Sequence, residues 1–417
     1  MEMTALAEAL SKLLFNKVCT GRAFSLMFSN DAYASSCKQL ALKEKLISET
    51  KFSKRNRCTH TVRLYQLTRK GLKYVLDHNE VIDGLTTLRE HMKRGLMILG
   101  PGDRGGEDKF QIARATTAVT MAALAGAAIP GENYILRGPG KHNPPCVEDI
   151  IRAELTPDEY EEIELFPGDG SGIVFHGVSA VKAQMNGPGQ DAAQNDFRAG
   201  RYQGIIESQY RSVLTYVAPL FGMLWSKRVL QKEILAYRRW RKVKGTTPPA
   251  AYKRSGVCGL LLVNNPEQFA NLYYDVDGVN NRDAFCFGGD FDHLYIIPVS
   301  KEGAKHLRWL MLINEDDESA QIKRLLLQQE QYTPNEIVTR AEPFPLRDRS
   351  GVRTAIGVTF DAKVLLAIER TARKSPDEVL AVLCYRWQES YYRRVLPDNV
   401  RLILIDSCGE LNKITYL

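Results

Sequence analysis

NDAYASSCKQLALKEKLISETKFSKRNRCTHTVRLYQLTRKGLKY, residues 30–74, is the stretch that decides the fold of the amino-terminal part. Asn30 or Asp31 can cap a helix that ends near Leu46, since their side chains accept backbone hydrogen bonds. Two strand-like segments, 47–52 and 62–67, follow and enclose a basic, turn-like tip. Thr68 can then cap a last helix. The predicted order is helix, strand, basic loop, strand, helix.

The residues before this stretch add two more helices to the prediction. Apolar residues recur at helical spacing over 4–19, with Thr4 as a suitable N-cap, and the Thr20-Gly21 pair ends that segment. Residues 22–28 then predict a short second helix. Three helices followed by a hairpin are the layout of a winged helix, a helix-turn-helix variant. We therefore predict a winged helix-turn-helix domain over residues 1–78.

The third helix of this domain has two different faces. One face is predicted to pack on the first two helices through the apolar members of the set Tyr33, Cys37, Leu40, Ala41 and Glu44. The opposite face carries small and polar residues, Ser35, Ser36, Lys38, Gln39, Leu42 and Lys43. Such residues suit a helix that enters the major groove of DNA, and a merely solvated helix surface is the alternative.

The charge of the chain is concentrated in the same segment. Residues 1–80 hold 14 Lys and Arg against 7 Asp and Glu, and residues 81–417 are balanced, so that the net charge of +7 lies wholly at the amino-terminal end. Charge asymmetry of this kind indicates a nucleic-acid partner. A basic surface without a partner is the alternative interpretation.

These patterns predict specific DNA contacts. The third helix would lie near the base edges through Ser35, Ser36, Lys38, Gln39 and Lys43. The hairpin would hold phosphates through Lys51, Lys54, Arg55 and Arg57. The predicted partner is double-stranded DNA. Since many winged-helix proteins are dimers, a homodimer on a palindromic site is a further expectation.

Residues beyond 78 predict a helical connector over 79–146 and an α/β domain over 147–417. Continuous apolar runs at 257–263 and 294–299 are typical of buried strands, and each precedes a helix-sized segment. Further strands are expected at 351–359 and 400–405, and a helix at 376–395. Strands that alternate with helices predict a mixed or parallel sheet.

Several features indicate a cytoplasmic protein without a membrane partner. No two of the eight cysteines are spaced as Cys-x-x-Cys, which fits a reducing compartment better than disulfides or a zinc ribbon. The first twelve residues lack the apolar core of a signal peptide. The longest apolar run, 118–129, is shorter than the roughly 20 residues that cross a bilayer.

Most catalytic patterns are missing from the sequence. The glycine-rich loop 100–108 continues with Glu107 and Asp108 where a phosphate-binding loop has lysine and a hydroxyl residue. No His-x-His pair accompanies a tyrosine nucleophile, so the tyrosine doublets at 273–274 and 391–392 are expected to be packing residues. We predict no cofactor and no metal site.

Asp290 and Asp292, in the sequence Asp-Phe-Asp-His, are the weak catalytic candidates. They could hold a hard metal ion, although a two-metal nuclease also needs a Glu-x-Lys pair, which no predicted strand contains. A solvated turn is the alternative. Two further functions therefore stay open beside DNA binding. They are a metal-dependent nuclease or replication/relaxation factor, and a ligand-responsive transcriptional regulator.

The motif Tyr65-x-Leu67-Thr68-x-Lys70-Gly71 at the end of the hairpin resembles winged helices of bacterial regulators. It also resembles the amino-terminal domain of the replication-relaxation family of mobile elements. Arg201-Tyr-Gln-Gly204, followed by Trp225 and Glu233, is similar to the second domain of that family. The resemblance implies DNA binding in the replication, transfer or regulation of plasmids or conjugative elements. It also implies an α/β domain with a nuclease-like core, degenerate in this chain.

Overall fold

A computed structural model describes residues 6–7, 9–10, 13, 18–52, 61–78, 106–130, 164–166, 168–185, 202–218, 227–244, 257–274, 291–313, 323, 326–327, 332–335, 343–406 and 414–415. The chain has a mixed α/β fold with several sheets. It divides into two compact units. Unit 1 comprises Met1–Gln194, Tyr202–Ile206 and Val299–Lys301, and unit 2 comprises Asn195–Arg201, Glu207–Pro298 and Glu302–Leu417.

Unit 1 begins with a three-stranded antiparallel sheet and the helices beside it. Its elements are β1 (Val18–Thr20), α1 (Gly21–Leu26), α2 (Asp31–Lys43), β2 (Ile47–Phe52), β3 (Val62–Leu67) and α3 (Arg69–His78). β3 is the central strand, in the order β1-β3-β2. The predicted hairpin strands are confirmed with the same limits.

The prediction that the first helix extends to Cys19 is wrong, because Val18–Thr20 is a strand. Val18 pairs with Gln66 and Thr20 with Leu64, so β1 covers the edge of β3 that the hairpin leaves open. Helical spacing of apolar residues could not reveal this pairing. The backbone groups of both strands gain partners, and that gain outweighs local helix propensity.

Side chains cap α2 and α3 where the sequence predicted caps, and the predicted cap Thr4 lies outside the described residues. The Oδ1 atom of Asn30 accepts a 2.7 Å hydrogen bond from the backbone N–H of Tyr33 and begins α2. The hydroxyl of Thr68 accepts a 3.0 Å bond from the N–H of Gly71 at the start of α3. Each cap satisfies one of the backbone donors that a helix leaves unpaired at its first turn.

Helices cover both faces of this sheet. On one face the ring of Tyr65 packs beside Phe24 of α1, with ring centroids 5.9 Å apart. On the other face lies α4 (Gly106–Leu124), whose Phe110 stacks on Phe52 of β2. Thr116 of α4 also donates a 2.6 Å hydrogen bond to the carbonyl oxygen of a β1 residue. The segment predicted as a connector thus contains a helix that packs on the sheet.

The remaining described elements of unit 1 are short. They are β4 (Ile129–Pro130), β5 (Glu164–Phe166), β6 (Val174–Gly177), α5 (Val178–Gln184) and β7 (Gly204–Glu207), whose last residue belongs to unit 2; β4 and β5 form an antiparallel pair. β6 and β7 are neighbouring strands. A Cβ on Gly204 would lie 2.5 Å from the ring of Phe175, so this close strand contact requires glycine.

Unit 2 contains three parallel strands, β8 (Ser212–Val217), β9 (Cys258–Val263) and β10 (His293–Pro298). β9 is buried along its whole length and β10 from Leu294 onwards, as the continuous apolar runs predict. The helices that follow these strands are α6 (Lys227–Lys244), α7 (Pro266–Tyr273) and α8 (Lys301–Leu312).

A second, mixed sheet of unit 2 has the order β11-β12-β13-β14-β15-β16. Its strands are β11 (Tyr332–Pro334), β12 (Leu346–Asp348), β13 (Arg353–Ile356), β14 (Leu380–Tyr385), β15 (Val400–Ile405) and β16 (Ile414–Thr415). β13, β14 and β15 are parallel, and the outer pairs are antiparallel. The helices α9 (Ala362–Lys374) and α10 (Glu389–Val395) belong to this part.

The predicted helix over 376–395 is wrong, because β14 occupies its first half and only α10 is an α-helix. Every residue of β14 is buried between two parallel neighbours. A continuous apolar run has no period that separates a strand from a buried helix. Tyr391 and Tyr392 of α10 are buried, in keeping with a packing role.

Two further expectations concern the compartment. In the part of the chain that the structure describes, no helix is long and apolar enough to cross a membrane. Four described cysteines, Cys19, Cys37, Cys258 and Cys384, are free thiols and buried. Burial raises the pKa of the Cys19 and Cys384 thiols far above the ordinary value, so neither is a reactive thiolate near neutral pH.

Candidate nucleic-acid interface

The outward face of α2 is the first part of the candidate interface. Its buried residues, Ala34, Cys37 and Ala41, follow helical spacing and face the core of unit 1. The opposite stripe is exposed and consists of Ala32, Ser36, Gln39 and Lys43. These four positions recur at intervals of three or four residues, which places them on one side of the helix. We call this set the α2 stripe.

The structure brings together only part of the predicted helix contacts. Ser36, Gln39 and Lys43 lie on the α2 stripe, and Ser35 is half-buried beside it. Lys38 is half-buried and lies about 100° around the helix axis from Gln39, because that is the rotation between successive residues. Lys38 is therefore directed away from the stripe.

The predicted buried face of α2 needs one correction. Leu40 is 38% exposed, whereas the residue that packs inward is Ala34. Ala34 and Ala41 are both fully buried on the inner side of α2. Leu40 therefore lies at the margin of the α2 stripe and extends the exposed surface.

The motif at the end of the hairpin has a structural role. The hydroxyl of Thr68 donates a 2.6 Å hydrogen bond to the carbonyl oxygen of Lys45, in the turn between α2 and β2. The backbone N–H of Thr68 donates to the carbonyl oxygen of Leu46 at 3.0 Å. Lys70 forms a 3.3 Å ion pair with Glu44. The motif thus joins the start of α3 to the end of α2.

Gly71 completes this junction because it has no side chain. A Cβ at this position would lie 2.0 Å from the carbonyl oxygen of Leu46 and 2.8 Å from Cδ1 of Leu67. A backbone oxygen cannot move aside as a flexible side chain can. The sequence Thr-x-Lys-Gly therefore holds α2 and the hairpin in a defined relation, and its residues need no contact with DNA.

The strands of the hairpin carry charged residues near the tip, some in ion pairs and some exposed. Lys51 of β2 is exposed and lies opposite Arg63 of β3, which is also exposed. The carboxylate of Glu49 accepts a 3.1 Å hydrogen bond from the hydroxyl of Tyr65 and lies 3.6 Å from Arg63. Burial, aided by Glu49, raises the pKa of Tyr65 to about 12. The hydrogen bond ties β2 to β3 below the tip.

The predicted hairpin contacts are only partly described. Lys51 is the last residue but one of β2, next to the tip. Lys54, Arg55 and Arg57 lie outside the described residues. The phosphate contacts of the tip therefore stay a prediction. This prediction rests on the basic residues of the tip and on the position of the two strands that enclose it.

Only one of the two weak catalytic candidates lies among the described residues. Asp290 lies outside the described residues, and Asp292 is buried, with its backbone N–H bonded to the carbonyl oxygen of Val257 at 2.9 Å. Asp292 precedes the first residue of β10, at the amino end of the parallel strands. Ligands of open α/β sheets bind at the opposite, carboxyl ends. In the described ranges, no group of three His, Cys, Asp or Glu residues is suited to a metal ion.

A half-buried histidine and a buried carboxylate beside Asp292 form a pair that was missed in the sequence. The Nδ1 atom of His293 lies 2.7 Å from Oδ2 of Asp361. Asp361 also caps α9, because its Oδ1 atom accepts a 2.9 Å hydrogen bond from the backbone N–H of Lys363. The same atom accepts a 3.3 Å bond from the backbone N–H of Leu294 in β10. Since the two partners are 68 residues apart, no local pattern could have revealed the pair.

The pair binds the amino end of β10 to the start of α9. The backbone N–H of Ile296 donates to the carbonyl oxygen of Phe360 at 3.0 Å, and Tyr295 and Asp361 form an antiparallel bridge. The ammonium group of Lys363 bonds to the carbonyl oxygen of Phe291. These contacts join β10 to α9 in unit 2.

Comparisons with known proteins add no relative to this picture. No family model, no curated protein and no solved structure matches the chain.

Proposed function

We propose that the chain is a DNA-binding protein that uses a winged helix in unit 1, with α2 as the recognition helix. The observation that carries the proposal is the α2 stripe. A polar, exposed surface on α2 lies opposite a buried face and is directly followed by a hairpin with a basic tip. An α-helix with short polar side chains on its outer side fits the major groove of duplex DNA.

The topology supports the winged-helix interpretation. α1 and α2 precede a hairpin, and β1 pairs with its second strand, so the order is β1-β3-β2. The hairpin follows the recognition helix directly, separated from it only by the turn at Glu44, Lys45 and Leu46. The basic residues between β2 and β3 would then contact the phosphates beside the groove that the helix occupies.

The residues divide into two roles in this proposal. Gln39 and Ser36 would hydrogen-bond with base edges, since amide and hydroxyl side chains read the donor and acceptor pattern of the major groove. Lys43 and Lys51, together with Lys54, Arg55 and Arg57, would neutralise phosphates. Lys38 is assigned no base contact, because it is half-buried and off the α2 stripe.

Salt-dependent binding is the first consequence. Each phosphate that a lysine or arginine neutralises releases bound counterions, so affinity falls steeply as salt increases. The net charge of +7 within residues 1–80 supports this electrostatic contribution. The partner is expected to be duplex DNA, and its sequence can be obtained by selection from a pool of randomised duplexes.

The test compares the full chain with a variant of the hairpin tip. Lys54→Glu, Arg55→Glu and Arg57→Glu together should abolish the gel shift of the selected duplex. A matched control changes Lys305, Arg370 and Lys374 to Glu, since these are exposed positions of unit 2 with the same change in charge. Undiminished binding by the tip variant, or equal loss by the control, would contradict the role of the hairpin.

The biological setting is a separate part of the proposal. The resemblance of the motif at 65–71 to the replication-relaxation family supports a role in the replication, transfer or regulation of plasmids or conjugative elements. A selected DNA site that recurs near replication or transfer origins of such elements would support this setting. A site without that association would contradict it and leave DNA binding untouched.

A further inference from the structure

Helix α6 of unit 2 has an unusual composition that the proposed function does not use. Its sequence, KRVLQKEILAYRRWRKVK, has eight Lys and Arg residues and a single acidic residue, Glu233. The net charge of the chain lies within residues 1–80, and α6 is the densest basic segment in the sequence beyond them. The position of this charge depends on which side of the helix is buried.

The inner side of α6 is defined by anchors to β8. The hydroxyl of Tyr216 donates a 3.0 Å hydrogen bond to the carboxylate of Glu233, and both residues are buried. The hydroxyl of Tyr237 donates to the carbonyl oxygen of Ser212 at 3.3 Å. Trp240 is fully buried. The one negative charge of the helix is therefore enclosed and does not offset the charge of the outer side.

The outer side of α6 is basic. Positions at intervals of three or four residues are exposed there, namely Gln231, Leu235, Arg238, Arg239 and Lys242. Lys244, the last residue of the helix, pairs with Glu207 and lies over the ring of Trp240, 5.0 Å from its centroid. We call Arg238, Arg239 and Lys242 the α6 basic face.

Charge complementarity favours a polyanion as the partner of this face. A lipid surface is less suitable, because a helix that binds a membrane inserts an apolar face, and the apolar face of α6 is already packed in unit 2. Only Leu235 and Val243 are exposed apolar residues of α6. Its aromatic residues are buried and cannot stack on unpaired bases. Contacts of this face are therefore restricted to phosphates.

We infer that the α6 basic face binds the phosphate backbone of duplex DNA, without reading its sequence. The inference rests on the proposed function for the identity of the polyanion, and it assigns unit 2 a direct contact with the same DNA. Unit 2 then contributes affinity and salt dependence, whereas sequence preference comes from the α2 stripe.

The test uses the full chain and the combined variant Arg238→Glu, Arg239→Glu, Lys242→Glu. Binding to the selected duplex is measured by fluorescence anisotropy at several salt concentrations. Affinity should fall at least about tenfold, and the slope of log affinity against log salt should become shallower by roughly 2 to 3. Ranking of selected against mismatched duplexes should not change.

Two comparisons make the result specific. The variant Lys305→Glu, Arg370→Glu, Lys374→Glu has the same net charge and should bind almost as the natural chain does. Polyglutamate and vesicles rich in phosphatidylserine serve as competing anions, and neither should displace the duplex at equal charge. If the glutamate variant of α6 unfolds, Arg238→Gln, Arg239→Gln, Lys242→Gln replaces it, with a shift of the salt slope in the same direction.

Each outcome separates this inference from the proposed function. Unchanged affinity and salt slope in the α6 variant, with binding lost in the hairpin-tip variant, overturn the inference alone. Binding lost in the α6 variant but retained in the hairpin-tip variant overturns the winged-helix role and supports the inference. Equal losses in the α6 variant and its charge-matched control overturn the inference, as does displacement by polyglutamate or vesicles.

Discussion

The hydroxyl of Thr68 donates a 2.6 Å hydrogen bond to the carbonyl oxygen of Lys45, a residue 23 positions earlier in the chain. Lys45 has a φ of 57°, in the left-handed region that L-residues with a Cβ rarely adopt. The bond therefore stabilises the strained turn by which α2 leads into the hairpin. The relation between α2 and the hairpin depends on this junction.

Thr68→Val should lower the free energy of unfolding of unit 1 by about 1 to 2 kcal/mol, because Gly71 loses its capping acceptor and Lys45 its donor. Thr68→Ser keeps the hydroxyl and serves as the control. Hydrogen exchange of β2 and β3 amides is the suitable measurement, since all four tryptophans (225, 240, 309 and 387) belong to unit 2. Equal protection in both variants would contradict the role of the hydroxyl.

Gly71→Ala should destabilise unit 1 by more than about 2 kcal/mol, because the added methyl group meets the backbone oxygen of Leu46. The same variant should bind the selected duplex more weakly, since α3 can no longer hold the turn after α2. Lys73→Ala, at an exposed position of the same helix, is the control and should change stability by less than about 0.5 kcal/mol. Similar exchange rates in the two variants would count against the close contact.

Gln39→Ala should relax the sequence preference by about 1 to 3 kcal/mol at one base pair, because a bidentate amide contact is lost. Lys43→Ala should instead weaken binding to all duplexes alike, as the loss of a phosphate contact does. Lys38→Ala is the matched control, since Lys38 lies off the α2 stripe. Competition between selected and singly mismatched duplexes measures these effects. A larger loss of specificity for Lys38→Ala than for Gln39→Ala would overturn the assignment.

His306 should make unit 2 sensitive to acid. Burial lowers the pKa of His306 to about 3, and the nearby charge of Arg211 adds to this effect. In the unfolded chain a histidine has a pKa of about 6.5, so below that pH the unfolded state binds a proton that the folded state excludes. Stability is therefore complete above the unfolded pKa and decreases as pH falls from about 6.5 towards 3, by about 2 kcal/mol between pH 7 and pH 5.

Urea unfolding followed by tryptophan fluorescence tests this expectation. His306→Phe should flatten the change in stability between pH 7 and pH 5, because phenylalanine can pack among the rings of Trp309, Tyr385 and Trp387 without a proton to bind. His78→Gln, at an exposed position of unit 1, keeps His306 and is the control. An unchanged pH dependence in His306→Phe would show that other groups cause it.

Asp361→Ala should destabilise unit 2 by about 3 kcal/mol, because a buried carboxylate that accepts three hydrogen bonds is removed. Asp398→Ala, at an exposed turn, is the control and should differ from the natural chain by less than about 0.5 kcal/mol. The urea midpoint, read from tryptophan fluorescence, reports the difference. Similar midpoints for the two variants would mean that Asp361 does not stabilise the junction of β10 and α9.

Local patterns were sufficient for much of unit 1 in particular. Asn30 and Thr68 were identified as caps because their side chains bond to backbone groups three residues away. β2 and β3 follow from a basic turn between two strand-like segments. Of the predicted DNA contacts, Gln39 and Lys43 lie on the α2 stripe. Lys38 is half-buried and Leu40 exposed, the reverse of the predicted faces, because the residue types alone do not define which side of the helix faces the core.

The sequence by itself determined the hairpin, its caps and the location of the net charge, since each depends on residues close together in the chain. Only the tertiary structure decided that Val18–Thr20 is a strand, that β14 lies within a predicted helix and that His293 meets Asp361. Those features depend on partners far apart in sequence. Backbone pairing and burial between distant segments select among conformations that local propensity leaves nearly equal in energy.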